Sequence, residues 1–355
     1  MKVCIIGFST IELSPYMEKY IKLLGKTEVE YFSISRELGH KKCTVIKNGA
    51  SYQINCRKRK FFLLKLLEHL KWKNNVIKIL KKEKPNRLVV LTQYPAFFLR
   101  KILLNDYKEK YYFDVRDYNK LFTKRFIKTI IDNSIYTFIS SEGFRKWLPS
   151  SDKLVVNNNL PQEIVYFQNH KIDYKSKISI AYFGAFSYLE ENINLLKIVG
   201  NNKKYEIVYA GFGEIEKDLK KFCELNNFSN VLFLGKFKRE DKTKLYSNIC
   251  LINAIYGCKS MLTTTALPNK FYDSLAYRIP IVASKGTYLG EIIEKEKIGF
   301  TVNLDLSDFE DNINSFINDY NDSLFNKKCE MLLKQYINEE QMMNDCFIHS
   351  ISENI

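Results

Sequence analysis

Lys270 and Asp273 stand three residues apart in a stretch with the pattern of a loop, a short helix and a buried strand. Pro268 suits the first turn of a helix, the residues after it have helical spacing, and Pro280 ends that pattern. Ile281–Ala283 is a short apolar run of the kind found inside a parallel sheet. The two charged side chains are predicted to form a polar pair near a strand edge, which suits a ligand with both a phosphate and a ribose. The alternative is an ordinary helix–strand unit of an α/β domain.

A second charged cluster consists of Asp114, Arg116 and Asp117, at the end of a predicted strand from Lys110 to Val115. Charges gathered at the carboxyl end of a strand are costly to place there by accident. These three residues are therefore a candidate catalytic site, in which Asp117 or Asp114 could act as a general base. The alternative is an Arg–Asp pair that only holds a loop.

Short turns follow three other predicted strands. Gly184 ends one strand, and Gly211 and Gly213 end the next one along the chain. A glycine allows a sharp turn and lets a phosphate approach the backbone, although Gly-x-Gly without a third glycine is a weak signal. Ser9 and Thr10 follow the first strand and are candidates for lining a ligand site, because ligands collect beyond the carboxyl ends of strands in open α/β sheets.

The residues after Asp273, Arg278-Ile279-Pro280-Ile281-Val282, resemble the nucleotide-sugar site of GT-B glycosyltransferases. The similarity is greatest to bacterial capsular, exopolysaccharide and O-antigen enzymes close to family 4, whose members have a lead-in like Pro268-Asn269-Lys270. In that family an acidic residue on the short helix holds the ribose hydroxyls, and Asp273 occupies this position. The resemblance covers almost the whole chain, strongly from Ile178 to Val302 and loosely before that.

The resemblance implies the GT-B fold, an α/β fold with two Rossmann-like, doubly wound domains that face each other across a cleft. Residues 1–165 would form a basic, membrane-facing, acceptor-binding domain. Residues 166–335 would bind the nucleotide sugar, and residues 336–355 would form a helix that returns to the first domain. Donor-binding positions are then expected at Gly184, Phe186, Gly211, Gly213, Lys236, Pro268, Asn269, Lys270, Tyr272 and Asp273. Acceptor-side positions are expected at Ser9, Thr10, Asp114, Arg116 and Asp117, since capsular-type enzymes carry an Asp-x-Arg-Asp/Gly segment at this place.

The chain departs from the family pattern at two places. Thr265 stands where the first of two glutamates is usual, and Ala185 and Glu190 occupy the neighbourhood of the usual Arg and Lys after the first glycine. A buried diphosphate needs a cation. Lys270 is the first candidate for it, followed by Lys236, Lys238 and Lys259. No Asp-x-Asp motif ends a strand, so we predict a metal-independent reaction without a cofactor.

The elements that would position these residues read as alternating strands and helices. In the first half, strands are predicted at Lys2–Gly7, Arg87–Thr92, Lys110–Val115 and Tyr136–Ile139. In the second half, four strands each end in a glycine, a turn or a loop, and a fifth follows at Ile281. This order predicts a doubly wound domain. Gln162–Lys177 reads as a linker, and Asn338–Ile351 as a final helix.

Length and composition predict two domains, since the chain has 355 residues of which 46% are apolar. The eight cysteines have no paired spacing, which indicates neither a zinc site nor a disulfide framework and fits reduced thiols in a cytoplasm. No signal peptide is visible, and no run approaches the roughly 18 apolar residues of a membrane span.

The positive charge lies in the first half of the chain. Residues 1–150 carry 31 basic and 13 acidic residues, whereas residues 151–355 carry 24 and 27. Within the basic half, Arg57–Lys84 has a basic amphipathic pattern that begins with four consecutive basic residues, Arg57, Lys58, Arg59 and Lys60. Such a helix suits an anionic membrane surface. The alternative is a core helix with solvated lysines.

The sequence therefore predicts a glycosyltransferase on the cytoplasmic face of a membrane. It would transfer a sugar from a nucleotide-diphosphate donor to an acceptor, a lipid-linked saccharide, in bacterial surface polysaccharide synthesis. The alternatives are a catalytically silent GT-B subunit that binds a partner enzyme and a sugar-nucleotide epimerase of the same fold. A nucleic-acid partner is not expected, because the aromatic residues are not interleaved with the basic ones as stacking platforms.

Overall fold

The computed structural model describes residues 1–11, 14–39, 44–161, 172, 174 and 176–352. The chain divides into two compact units. The N-terminal unit consists of Met1–Asn158 and Glu339–Ile355, and the C-terminal unit of Asn159–Asn338. The predicted linker 162–177 lies largely outside the described residues.

The N-terminal unit contains eight strands and the helices that connect them. In chain order the elements are β1 (Lys2–Ile6), α1 (Pro15–Leu24), β2 (Glu30–Gly39), β3 (Thr44–Asn48), β4 (Ser51–Arg57), α2 (Phe62–Glu83), β5 (Arg87–Leu91), α3 (Gln93–Asn105), β6 (Tyr111–Val115), α4 (Lys124–Asp132), β7 (Thr137–Ile139) and β8 (Leu154–Val156). They form one sheet in the order β3-β4-β2-β1-β5-β6-β7-β8. All pairs are parallel except β3 with β4.

The predicted strands of this unit correspond to β1, β5, β6 and β7, whose apolar residues are buried. The strands that the pattern did not reveal are β2, β3, β4 and β8. Charged residues interrupt β2, and all of β3 is exposed. The segment Gln93–Pro95, which follows β5, is the first turn of α3.

The C-terminal unit is a six-stranded parallel sheet with helices on both faces. Its elements are β9 (Ile178–Ala185), α5 (Leu189–Val199), β10 (Tyr205–Phe212), α6 (Glu216–Leu225), β11 (Val231–Gly235), α7 (Lys242–Tyr246), β12 (Leu251–Ala254), α8 (Met261–Thr265), α9 (Asn269–Tyr277), β13 (Ile281–Ser284), α10 (Tyr288–Glu296), β14 (Gly299–Val302) and α11 (Phe309–Asp319). The strand order is β11-β10-β9-β12-β13-β14. Separate apolar cores cover the two faces, as expected of a doubly wound sheet.

The predicted final helix is part of a longer one, α12 (Asp322–Ser352), of 31 residues. Its last part belongs to the N-terminal unit. There Glu340 pairs with Lys19 at 2.8 Å, and the backbone oxygen of Ser350 accepts a hydrogen bond from Arg87 at 2.7 Å. Phe347 packs edge-on against Tyr112 in the apolar core of that unit.

The basic amphipathic stretch begins differently from the prediction. Arg57 is the last residue of β4, and α2 starts only at Phe62. The second half of α2 is a core helix, with Trp72, Val76 and Leu80 buried. The first half leaves its apolar side chains in solvent, and Phe61, Phe62 and Leu63 are 75%, 77% and 72% exposed. Among the described residues, no helix is both long and apolar enough to cross a bilayer.

Candidate active site

Asp273 lies on α9 and is buried. Its two oxygens accept hydrogen bonds from the ammonium group of Lys242 at 2.9 and 2.8 Å. The hydroxyl of Tyr246 donates to one of them at 3.0 Å. A buried carboxylate is stable only when it is paired and hydrogen-bonded in this way. The predicted partner of Asp273 was Lys270, but the ion pair is made with Lys242 on α7.

Lys270 is also buried, in a cage of aromatic rings. Its ammonium nitrogen lies 3.0 Å from the ring centroid of Tyr182 and 5.2 Å from that of Tyr256. It donates a hydrogen bond to the backbone oxygen of Asn253 at 3.0 Å. Burial lowers the pKa of Lys270 well below its usual value, and the nearby Asp273 carboxylate opposes this only in part. An anion that binds beside Lys270 would favour its charged form and raise its pKa again.

The start of α9 is the feature of this region that can receive an anion through the backbone. Pro268 is the N-cap residue and makes no side-chain capping bond, and Asn269 is exposed. The unsatisfied N–H groups and the dipole of a helix favour negative charge at this end. Tyr272 points elsewhere: it is fully buried and packs edge-on against Tyr336.

The glycines divide into two kinds. Gly211 and Gly213 are needed for chain packing, because a Cβ atom would lie 1.9 Å from the backbone oxygen of Gly184 or 2.2 Å from that of Phe186. Gly184 has φ +119° and open space on the Cβ side, so a ligand can approach its backbone. The side chain of Phe186 is buried against Tyr209 in the core. Only its backbone remains for the predicted donor contact.

The other candidate cations lie at the surface. Lys236 is exposed, with its ammonium nitrogen 4.5 Å from the centroid of the Phe212 ring, and Lys238 is exposed as well. Lys259 pairs with Glu190. Glu190 lies near the position where the resemblance to the family predicts a basic residue. This pair borders a pocket of about 660 Å³ beside the stacked rings of Tyr188 and Tyr256.

Thr265, at the position of the missing glutamate, is buried at the end of α8. Its hydroxyl donates to the backbone oxygen of Met261 at 2.6 Å. The threonine side chain therefore bonds back to the first residue of its own helix, and it supplies no carboxylate.

In the N-terminal unit, Asp114 and Arg116 form a buried, hydrogen-bonded ion pair at the end of β6. The guanidinium contacts the two carboxylate oxygens at 2.5 and 2.7 Å, and Tyr20 donates to Asp114 at 2.6 Å. Arg116 also donates to the backbone oxygen of Asn157 at 3.1 Å. Burial alone would lower the pKa of Arg116, but the adjacent Asp114 carboxylate raises it overall. In this arrangement Asp114 and Arg116 hold the loop after β6 in place, which is the alternative role that the sequence left open.

Of the two carboxylates in this cluster, Asp117 is the exposed one. Its backbone oxygen accepts a hydrogen bond from Gln93 at 2.7 Å, which holds the turn in place. Desolvation by the surrounding protein raises the pKa of Asp117, Arg116 opposes the rise, and the Asp114 carboxylate adds to it. A positioned carboxylate with a raised pKa has the properties of a general base.

Ser9 and Thr10 lie after β1, at the carboxyl edge of the same sheet. The Ser9 hydroxyl is hydrogen-bonded to that of Ser14. The Thr10 hydroxyl oxygen is buried without a hydrogen-bond partner in the described part of the chain.

Sequence reasoning missed Lys242 and the tyrosine cage around Lys270. Lys242 stands in a mixed-charge run that has no period of its own, and Tyr182 sits inside an apolar strand. No local signal distinguishes either residue from a surface lysine or a core tyrosine.

Within the described ranges, no group of three or more His, Cys, Asp or Glu side chains is arranged to hold a metal ion. None of the seven cysteines that the structure describes forms a disulfide.

Residues 166–336 match the family described as Glycosyl transferases group 1. The match spans most of the C-terminal unit and just under half of the chain. A comparison with the sequences of curated proteins gave no match.

Solved structures with the same fold cover the whole chain. Sucrose-phosphate synthase from Thermosynechococcus elongatus superimposes with a TM-score of 0.75 at 10% identity, over 99% of this chain and 100% of the other. The apo form of the lipopolysaccharide outer core galactosyltransferase WaaB gives 0.66 at 13% identity, over 99% and 100%. Anabaena Alr3699/HepE, in complex with UDP and glucose, gives 0.63 at 13% identity, over 98% and 99%. The fold is GT-B, as predicted.

Proposed function

We propose that this protein is a glycosyltransferase that moves a sugar from a nucleotide-diphosphate donor to a saccharide acceptor. The observation that carries the proposal is the match of residues 166–336 to the group 1 glycosyltransferases. The geometry of the same region supports it, because an open glycine turn, an uncapped helix start and a buried lysine lie at the carboxyl edge of one parallel sheet.

Within this proposal the donor phosphates bind near Gly184 and the start of α9. A bound diphosphate favours the charged form of Lys270, which neutralises the leaving group during transfer. Asp273 accepts hydrogen bonds from the ribose hydroxyls, and Lys242 holds its carboxylate in place. The reaction is metal-independent and needs no further cofactor, in line with the absence of an Asp-x-Asp motif at a strand end.

On the acceptor side we assign the general base to Asp117, provided that the reaction inverts the anomeric configuration. Its exposure and raised pKa support this choice over Asp114, whose oxygens are already bonded to Arg116 and Tyr20. If the reaction retains the configuration, neither carboxylate needs to act as a base.

We further propose that the acceptor is lipid-linked, that the protein works in bacterial surface polysaccharide synthesis, and that it lies on the cytoplasmic face of the membrane. The support is the exposed apolar start of α2 beside Arg57, Lys58, Arg59 and Lys60. Aromatic and aliphatic side chains next to a run of cations match an anionic bilayer surface.

The experiment is a thermal-shift panel of UDP-, GDP-, CMP- and dTDP-linked sugars on the wild type, Asp273→Ala and Lys270→Ala. A ligand at about 100 times its dissociation constant adds roughly 2.7 kcal/mol of stability. UDP-sugars are tested first because one neighbour is described with UDP and glucose. A shift by one nucleotide family that both variants lose supports the donor site. The absence of any shift would contradict the enzyme and favour a silent GT-B subunit. Conversion of the donor without any acceptor would favour the epimerase.

A further inference from the structure

Arg36 is a buried cation in the middle of an aromatic cluster of the N-terminal unit. It lies on β2, two residues past the end of the neighbouring strand β1, and only 6% of its surface is exposed. Its guanidinium carbon lies 4.2 Å from the centroid of the Phe8 ring. Its backbone N–H donates to the backbone oxygen of Ser9 at 3.2 Å, which fixes β2 to the turn after β1.

Within the described residues, no carboxylate neutralises this guanidinium, and its Nε atom is buried without an acceptor. By contrast, the buried guanidinium of Arg116 holds Asp114 with two hydrogen bonds. Stacking on a ring stabilises a cation by about 0.5–2 kcal/mol, whereas the effective cost of burying an unpaired charge is several kcal/mol. The ring alone does not offset that cost.

The position of Arg36 indicates a ligand rather than a packing role. In open α/β sheets, ligands bind beyond the carboxyl ends of the strands, and Arg36, Phe8 and Tyr94 all lie at that edge. The Thr10 hydroxyl, which follows the same strand β1, is a second buried polar atom without a partner among the described residues. Two unmet hydrogen-bonding groups of one sheet edge point to a missing acceptor of hydrogen bonds.

The rings around Arg36 give this edge an apolar platform. Phe8 and Tyr94 are stacked with their centroids 5.4 Å apart and 8° between the planes, and His69 meets Phe8 edge-on at 5.1 Å. Burial, followed by the charges of Arg36 and Lys65, lowers the pKa of His69 to about 4. His69 is therefore neutral at pH 7 and adds no second charge. The positive charge of this platform comes from Arg36.

We propose that Arg36 binds a phosphate group of the acceptor, so that the acceptor substrate is a phosphorylated saccharide. The planar fork of a guanidinium fits two phosphate oxygens at once, and the Thr10 hydroxyl can donate to a third. The phosphate belongs either to a soluble sugar phosphate or to the diphosphate of a lipid-linked saccharide. This inference rests on the proposed function and names the acceptor class for the same reaction.

The test is calorimetric titration of the full-length protein with glucose 6-phosphate, glucose and farnesyl diphosphate. The variants are Arg36→Met and Arg36→Lys. Arg100→Met is the matched control, because Arg100 also lies over a phenylalanine ring, at 5.5 Å from Phe97, but is exposed. We expect a phosphorylated probe to bind the wild type, and glucose to bind more weakly. Arg36→Met should weaken the phosphorylated probe about 10- to 100-fold, Arg36→Lys less, and Arg100→Met not at all. Binding of glucose 6-phosphate alone indicates a sugar phosphate, and binding of farnesyl diphosphate alone a lipid diphosphate.

The stability of the unliganded variant provides the second measurement. Removing a buried, unpaired charge should leave the melting temperature of Arg36→Met unchanged or raise it by a few degrees. A lower melting temperature together with unchanged phosphate affinity would show that Arg36 is structural and overturn the proposal. So would the failure of both phosphorylated probes to bind, or equal loss of binding in Lys270→Met, which would place the anion in the other unit. A nucleotide-sugar shift without phosphate binding would overturn this inference and leave the proposed function standing.

Discussion

The ammonium nitrogen of Lys242 lies 2.9 and 2.8 Å from the two carboxylate oxygens of Asp273, across 31 residues of sequence. Lys242 is a quarter exposed and Asp273 is buried. The pair fixes the position of α9, the helix whose uncapped start we assign to the donor phosphates. It also positions the carboxylate oxygens of Asp273, which can accept hydrogen bonds from a ribose.

Two substitutions separate the structural and ligand-binding parts of this pair. Lys242→Met leaves a buried carboxylate with Tyr246 as its remaining described donor, and should cost about 1–3 kcal/mol of unfolding free energy in urea denaturation. The exposed Lys244 of the same helix supplies the control, and Lys244→Met should change stability by less than about 0.5 kcal/mol. Asp273→Asn should weaken the donor identified by thermal shift about 10- to 100-fold. Unchanged donor affinity in Asp273→Asn would limit this residue to holding α9.

Donor binding should take up a proton at Lys270. Burial lowers the pKa of the free lysine, and a bound diphosphate would raise it again. Affinity should therefore fall as the pH rises through the lowered pKa of the free protein. Calorimetry of the donor in buffers of different ionisation enthalpy measures the uptake directly. It should vanish in Lys270→Met and persist in Lys244→Met. Equal uptake in both variants would remove Lys270 from the phosphate site.

Asp114, within β6, and Asp117, after it, should differ in the effect of substitution by asparagine. The first exchange should lower stability, and the second should lower activity. Asp114→Asn breaks a buried ion pair with Arg116 and should cost about 3–5 kcal/mol of stability. Asp117→Asn should leave the melting temperature unchanged and, in an inverting reaction, lower kcat about 10²- to 10⁴-fold. Asp132→Asn, a surface exchange on α4, controls for loss of charge in the same unit. A kcat of Asp117→Asn within twofold of the wild type would exclude Asp117 as the base.

Acid should destabilise the N-terminal unit through His69. The folded-state pKa is lowered to about 4, so the unfolded chain binds the proton first as the pH falls below about 6.5. Stability is therefore present above that pH and is lost towards pH 4. Between pH 7 and 4.5 the loss from this partly exposed group is at most about 2 kcal/mol, because solvent screens part of the effect. Urea denaturation at pH 7 and pH 4.5 should show a smaller loss of stability in His69→Phe than in the wild type. The control His349→Phe, at an exposed position, should lose as much stability as the wild type. The same pH dependence in His69→Phe would contradict the assignment.

The apolar start of α2 should control binding to vesicles. Changing Phe61, Phe62 and Leu63 together to Ser should weaken partition into vesicles with anionic lipid at least about tenfold, because each side chain loses apolar burial in the interface. Sedimentation with vesicles measures the bound fraction. The control changes Leu225, Leu304 and Leu324, which are exposed leucines of the C-terminal unit, to Ser. Binding that is equally weak in both triple variants, or absent in the wild type, would exclude α2 as a membrane surface.

The sequence by itself determined the features that depend on neighbouring residues. Pro268 and Pro280 flank α9, which runs from Asn269 to Tyr277, because proline restricts its own backbone and that of the residue before it. Continuous apolar runs became buried parallel strands, as at Ile281–Ser284, because such strands are covered on both faces. These local rules, together with the order of strands and glycines, predicted a doubly wound domain, and the resemblance to GT-B glycosyltransferases implied the GT-B fold.

Only the tertiary structure decided which charged groups meet. Asp273 has Lys270 one turn away, yet it pairs with Lys242, because the packing of α7 against α9 brings that lysine closer. Arg36 stands in a strand that no period reveals, and it is buried on Phe8 because β2 pairs with β1. The first half of α2 stays exposed while the second half is buried, although both halves carry the same kind of pattern. These contacts are set by the pairing of strands and helices that are distant in sequence. The spacing of residues along the chain does not show which of these elements pair.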